Sequence, residues 1–520
     1  MKLTSLILAA GLAAATGAAA FAETATEGGK LVIRLNADIR ATDGVNRDGN
    51  TDMVLHHIFE TLVAYRDDLT IGPLLAESWT VSEDGRVYTF TLREGAKFHN
   101  GAPVTAQDVV WNWERKVSQG ADWFCNAYFD GSQGMKVESV AAADDRTVVF
   151  TIDAPNALFL AQLANIQCNA WVAHPDSVAA DGSWKAEAPI GSGPFQMAEW
   201  KRGQYVELQK FQDYVPVKAP MSGYAGDRSA HVDAVRFLVI PDTAAAEAAL
   251  YAGQIDVLPD LEPANIPEAE KNGAQVVTGQ GLGFQTVLVQ TADPLLSDVR
   301  MRKAIIQAID FKQIAELRSG GLTGFNPSMV AQASSFFDED FLEWPAYDPA
   351  ASAALLAEIG YKGEPITIQT NTRYQSMYEV GVLVQAMLQA SGINAQLEVL
   401  DWATQLDNYS SGKFQLQSFS YSPRLDPSLL YGLFLGDKAE RASTQWESPE
   451  AMQLYIESTQ TSDPEARKAL FKKLHALLVQ DLAVMGVMYV PQVDAVGSAV
   501  SGYDVWPGGR ARGWGVSKTK

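Results

Sequence analysis

The segment Leu75–Val117, LAESWTVSEDGRVYTFTLREGAKFHNGAPVTAQDVVWNWERKV, constrains the fold of this chain more tightly than any other stretch. Tyr88, Phe90 and Leu92 alternate with Val87, Thr89 and Thr91, the period-two pattern of a strand with one buried face. Ser78–Ser82 reads as its partner across the turn signal Glu83-Asp84-Gly85, which makes a hairpin. Lys97-Phe98-His99 is a short extended piece ended by Asn100-Gly101, residues that tolerate positive φ. Thr105 stands three residues before Asp108, the capping-box spacing, and Val109, Trp113 and Val117 fall on one helical face at i, i+4 and i+8. The pattern predicts a hairpin, a turn and an amphipathic helix, with the aromatic side chains packed in a core.

The N-terminus bears on compartment. Lys2, the apolar run Leu3–Ala15 and the small residues ending Ala20-Phe21-Ala22 form the pattern of a secretory signal cleaved after Ala22. The run falls short of the roughly 20 apolar residues that a membrane span needs. No Cys stands directly after the cleavage point, so a lipid anchor is not supported, and a periplasmic protein exported by a cleavable signal peptide, residues 1–22, is expected. The chain carries 62 acidic and 40 basic residues, a net charge of −22. That balance argues against nucleic acid and anionic lipid surfaces as partners, because both require clustered Lys and Arg. Cys125 and Cys168 are the only cysteines. In an oxidising compartment they are expected to pair, two free thiols being the alternative, and with no His at ligand spacing they make no zinc site.

Along the chain, strand and helix patterns alternate as in an open α/β sheet. KLVIRL opens with Leu31, Ile33 and Leu35 on one face of a strand. Thr51–Tyr65 has helical spacing at Val54, Ile58 and Leu62. His56 and His57 within it point about 100° apart, so they are packing or surface residues and cannot chelate one metal. Pro189–Phe195, PIGSGPF, marks a sharp turn where side chains would be in the way. Strands at Val206–Lys210, Val232–Ile240 and Ile255–Leu258 flank a helix at Thr243–Ala252. Gln285–Gln290 reads as a strand entering a new section, followed by helical spacing over Asp298–Gly320. Pro349–Ile359 is a helix with Asp348 as cap and Gly360 as stop. A strand at Ile366–Gln369, a helix at Tyr374–Ala390, a strand at Ala395–Leu400 and a long helix from Pro464 through Leu478 complete the set, before a strand at Val484–Val490.

The segment LAESWTVSEDGRVYTFTLREGAKFHNGAPVTAQDVVWNWERK closely resembles the signature region of the family 5 extracytoplasmic solute-binding proteins, the peptide and nickel receptors of ABC importers. IFETLV, PIGSGPF, YAGQIDVL and DVRMRKAIIQAID resemble further segments of that family. The resemblance implies an α/β, two-lobed periplasmic binding protein fold (type II-like) with an extra subdomain inserted in the first lobe. The first lobe is expected at 23–74, 194–287 and 491–520, the inserted subdomain at 75–193 and the second lobe at 288–490, with crossing strands near Gln285–Gln290 and Tyr489–Val493. It also implies closure of the lobes on a small-molecule or peptide ligand, delivery to the ABC transporter permease subunits of the inner membrane, a monomer, and no cofactor.

In peptide-binding relatives an arginine at the place of Arg373, in NTRY, anchors the ligand carboxylate, since a guanidinium fork meets two carboxylate oxygens with parallel donors. The alternative is a surface arginine near a helix N-terminus. Tyr374 adjoins it, and Trp402 and Tyr421 offer either flat ligand walls or core packing. The chain departs from the dipeptide-binding pattern at Pro423, where relatives that hold a free amine carry an acid three positions before the Asp-Pro pair. Arg424 stands beside it, and Asp426 is expected to cap the helix that Pro427 begins. Two cations without a matched anion favour a carboxylate-bearing or anionic solute over an ordinary dipeptide. A metal chelate, an opine or a saccharide remain alternatives in the same transport role. No G-x-S-x-G, H-E-x-x-H, Walker loop or G-x-G-x-x-G occurs, and Gly281-Leu282-Gly283 and Gly191-Ser192-Gly193 both lack the third glycine. No enzyme activity and no metal are therefore expected, a secreted hydrolase being the rival reading.

Overall fold

Two long antiparallel strands, Gln275–Val289 and Val484–Val496, run through both halves of the molecule. The computed structural model describes residues 27–519, so the expected signal peptide and a mature start at Glu23 lie outside the described residues. The long strands sit in a ten-stranded sheet ordered Phe195–Lys201, Tyr205–Lys210, Ala234–Val239, Lys30–Leu35, Val257–Leu258, Val484–Val496, Gln275–Val289, Leu416–Tyr421, Ile366–Asn371, Ala395–Leu400. Lys30–Leu35 is parallel to both of its neighbours, and so is Ile366–Asn371 on the other side. The carboxyl ends of these parallel strands face the middle of the molecule from both directions. Tyr421 stands opposite Phe284, and beyond Leu258 the Leu261 N–H donates to the Val493 carbonyl at 2.7 Å. In open α/β sheets the crevice beyond the carboxyl ends is where ligands bind.

The pairing of these two long strands shifts register at Gly279–Gly283, opposite Val490 and Gln492. A Cβ at Gly281 would lie 1.9 Å from the Val490 carbonyl oxygen, so only glycine fits. Beyond the shift, Gln285–Val289 pair on their other side with Ser420–Leu416.

The signature segment supplies two strands of a four-stranded antiparallel sheet ordered Ala76–Val81, Val87–Leu92, Thr147–Ile152, Val137–Ala142, and the helix Ala106–Val117 that packs against it. Asp108 Oδ2 accepts from the Thr105 N–H at 2.8 Å and the Thr105 hydroxyl accepts from the Asp108 N–H, closing the capping box. Trp113 meets Trp123, Phe129 and Phe150 edge-on with ring centroids 5.1 to 5.8 Å away. Val117, 45% exposed, lies off that face, which ends one turn earlier than the spacing predicts. Cys125 and Cys168 are joined within the same subdomain, with their Cα atoms 5.2 Å apart.

Two helices differ from their sequence patterns. The first is Gly49–Ile58, capped by Asp48. Phe59 turns extended, and Glu60–Thr61 and Val63–Tyr65 are strands, in keeping with β-branched Thr61 and Val63. The spacing over Asp298–Gly320 divides into Val299–Gln307 and Phe311–Ser319, because Asp310 caps a new helix. Pro349–Ile359 keeps its expected bounds, with Gly360 left-handed at φ 72°.

Candidate ligand cleft

Three segments that carry the family resemblance meet at a buried ion pair. Arg93 Nη1 and Nη2 donate to Glu60 Oε1 and Oε2 at 3.1 and 2.7 Å, with both residues buried. Ser192 Oγ and Tyr214 OH each donate to Glu60 at 2.9 Å, and Arg93 also reaches the Leu74 and Val215 carbonyls. Burial disfavours the Arg93 cation, but the Glu60 carboxylate beside it prevails and holds its pKa above the ordinary value. Alongside, the His99 N–H donates to Gly191 O at 2.9 Å, His99 Nδ1 accepts from the Gly191 N–H, and Nε2 faces Gly193 O at 3.1 Å. Burial pushes His99 down to about 4 against the pull of the Gly193 carbonyl, so it is neutral at pH 7. A Cβ at Gly191 would sit 2.0 Å from Ile58 O, and one at Gly193 2.5 Å from His57 O. His56 and His57 are buried and pushed to about 3 by burial; His57 bonds Met53 O at 2.7 Å and accepts from the Gly513 N–H. The motifs thus fasten the inserted subdomain to the first lobe.

The second-lobe wall is built differently. Arg373 occupies the turn between Ile366–Asn371 and the helix Gln375–Ala390, is exposed, and forms no ion pair among the described residues. Asn371 fixes the turn: its Oδ1 accepts from the Tyr374 N–H at 2.9 Å and its Nδ2 donates to Gln405 at 2.7 Å. Arg373 lies 5.8 Å from the Tyr374 ring centroid; Tyr374 meets Trp402 edge-on at 4.9 Å, Trp402 lies 5.6 Å from Phe419, and Phe419 lies 4.9 Å from Tyr421. Arg424 follows, its Nη1 donating to Ser422 O at 3.0 Å, Ser422 Oγ at 2.9 Å and Pro423 O at 3.2 Å. The five residues singled out in the sequence therefore lie on one connected wall. They are not equally open: Tyr374 is 41% exposed, whereas Tyr421 is 7% exposed and packs against Phe434. Asp426 caps the helix Pro427–Phe434 and also takes a bidentate pair from Arg467 at 3.0 and 2.9 Å, a partner that no local spacing reveals.

The first lobe contributes charged residues that the sequence reading did not single out. Asp260 follows the strand Val257–Leu258 with φ 58°, a left-handed conformation uncommon outside glycine. Its N–H donates to Asp494 Oδ1 at 3.0 Å, and its carboxylate is reached by solvent and unpaired among the described residues. Desolvation by the surrounding walls raises its pKa, opposed by Arg510 and Arg34. Arg34 is occupied by the Ile240 and Pro241 carbonyls, whereas Arg510 donates Nη1 to Gly509 O at 2.6 Å and leaves a buried Nε without partner. On the crossing strand, buried Asp494 accepts from Tyr503 OH, and burial, then Asp260, push it up to about 7. The signal for Asp260 in the sequence is only its place just past a strand end, since a backbone angle leaves no mark on composition. Among the described residues no group of three or more His, Cys, Asp or Glu gathers as a metal site, and no helix is long and apolar enough to cross a membrane.

Residues 70–441 match the model of the bacterial extracellular solute-binding proteins, family 5 Middle. The chain belongs to that family. It is 27% identical over 475 residues to the dipeptide-binding protein DppE of Bacillus subtilis, covering 86% of this chain and 84% of that one. It is 25% identical over 500 residues to heme-binding protein A of Haemophilus influenzae, covering 88% and 86%. Among solved structures, the periplasmic binding protein DppA of Helicobacter pylori in complex with the peptide STSA superposes with TM-score 0.75 at 26% identity, covering 95% and 99% of the two chains.

Proposed function

We propose that this protein is the periplasmic receptor of an ABC importer, a monomer that closes its two lobes on a peptide-like or carboxylate-bearing solute and hands it to the membrane permease without chemically altering it. Family membership supports the transport role, and relatives named for dipeptides and for heme show that the family does not by itself fix the ligand. We read the first lobe as 23–74, 194–287 and 491–520, the insert as 75–193 and the second lobe as 288–490. The observation that carries the ligand reading is Arg373, an exposed guanidinium without a carboxylate partner, at the head of the Tyr374–Trp402–Phe419 wall beyond the strand ends. Such a fork is suited to a carboxylate delivered along an aromatic face. Across the cleft, Asp260 and Arg510 supply one charge of each sign for the remaining polar groups of the solute. Mass spectrometry of the solute released from protein purified without refolding tests this: a species bearing a carboxylate is expected, and a released solute with no acidic group contradicts it.

A further inference from the structure

A cavity of about 480 Å³ lies between the inserted subdomain and the second lobe, apart from the Arg373 end of the wall. The subdomain contributes Tyr128, Asn156 and Gln162, and the second lobe contributes Arg424, Arg441 and Tyr455. The two bodies touch beside it, where the Ala157 N–H donates to the Thr459 carbonyl at 2.7 Å. None of the residues lining the cavity is acidic.

Its polar groups present donors that the chain does not use. Gln162 is 1% exposed, and its Nε2 has no hydrogen-bond partner. The orientation of that amide is fixed by its neighbours. Asn165 Oδ1 accepts from the Gln167 N–H at 3.0 Å, which directs Asn165 Nδ2 to Gln162 Oε1 at 3.2 Å and leaves Nε2 as the free end. A buried donor left unpaired loses its hydration with nothing in return, so such a group calls for an acceptor. Arg424 uses only Nη1 on its own loop, and no carboxylate pairs with it among the described residues. Its charge is held in surroundings that depress its pKa, burial being the main cause, with Tyr128, Tyr421 and Tyr409 opposing. Arg441 differs: it is spent on the Gly432, Leu433 and Leu435 carbonyls at the end of the helix Pro427–Phe434, so it adds positive potential and no free fork.

We propose that this cavity is a second binding station, an oxyanion pocket that takes a carboxylate, sulfonate or phosphate group through Gln162 Nε2 and the free donors of Arg424. Because its two donors come from different bodies, an anion there also favours the closed state, binding only where both walls are present. The inference rests on the receptor reading only for the source of the anion, which is either the far end of the transported solute or a free anion.

The test uses sulfate as probe, with thermal unfolding of the mature protein followed against sodium sulfate at ionic strength held constant with chloride. Protein stripped of solute by reversible unfolding is expected to gain stability with sulfate. Gln162→Glu, which keeps the shape of the side chain, and Arg424→Gln are each expected to weaken that response about tenfold or more, the scale of one charge-assisted hydrogen bond. If the solute supplies the anion, protein as purified shows no sulfate response until it is stripped; if a free anion does, the two preparations respond alike. A stripped protein indifferent to sulfate, or a response undiminished in both Gln162→Glu and Arg424→Gln, overturns the proposal while leaving solute binding at Arg373 standing. Circular dichroism of each variant confirms that the fold is kept, and a second conservative change, Gln162→Leu, is expected to act as Gln162→Glu does.

Discussion

The junction around Glu60 and the wall around Arg373 are opposites in how they treat charge. At the junction every charged or polar arm is answered from within: Arg93 by Glu60 and two carbonyls, Glu60 by Ser192 and Tyr214 as well, His99 by Gly191 and Gly193. At the wall, Arg373 is answered by nothing but the face of the Tyr374 ring. A buried pair of the first kind holds two parts of a chain in register, and an unanswered cation of the second kind is an invitation to a ligand. The most recognisable sequence in this protein thus marks where the insert is fastened, and the proposed ligand wall lies elsewhere in the chain.

The sharpest way to break the comparison is at the junction itself. Glu60→Gln leaves the Arg93 guanidinium buried without its counter-charge and is expected to cost on the order of 3 to 5 kcal/mol in chemical denaturation. A cost under about 1 kcal/mol would mean that water reaches Arg93 and that the junction does not fasten the insert.

The next effect is a pH dependence with a definite sign. The Asp494 carboxyl is raised from its ordinary 3.8 to about 7 in the folded protein, burial being the main cause. The folded state then holds a proton that the unfolded state has released between about pH 4 and pH 7, so this group makes stability fall as pH rises through that window. Three pKa units correspond to about 4 kcal/mol as an upper figure. Asp494→Asn is therefore expected to gain stability relative to wild type as pH goes from 4 to 8, and urea midpoints that track wild type at every pH would contradict it. The buried His56 and His57, lowered to about 3, act in the opposite sense, since protonating them costs stability as pH falls below about 6.5. The difference between variant and wild type cancels their contribution.

A smaller effect is expected from the capping box: Thr105→Ala removes two side-chain bonds at the start of the signature helix and is expected to cost about 1 kcal/mol by thermal unfolding. Smallest of all is the stability change from Arg373→Ala, expected within about 0.5 kcal/mol because the side chain is exposed and unpaired. A large loss there would move Arg373 from the wall class to the junction class.

Much of the fold was legible because its signals are local. The hairpin before Leu92, the Thr105–Asp108 cap and the helix Pro349–Ile359 each follow from spacing and end residues. What failed failed where local and distant forces disagree. Leu62 keeps helical spacing from Ile58, yet β-branched neighbours and pairing of Glu60–Thr61 with Trp171–Val172 draw it into extended chain. The register shift at Gly279–Gly283 was not legible, because it goes with the Val490 carbonyl lying against Gly281, a contact over two hundred positions away in the chain. The candidate site shows the same division. Arg373, Tyr374, Trp402, Tyr421 and Arg424 were reached through the resemblance, whereas Asp260 depends on a backbone angle and Gln162 on an unpaired amide, neither of which composition or periodicity records.

The measurement that tests the central claim most directly is calorimetry of the solute released from the purified protein, titrated into wild type and Arg373→Ala. A charge-assisted, bidentate contact in a closed cleft is expected to be worth on the order of 2 to 5 kcal/mol of binding when truncated, with the unfolding midpoint unchanged. Affinity equal to that of wild type, with the fold intact, would contradict the account by showing that the solute carboxylate is held by some other group than the wall that Arg373 heads.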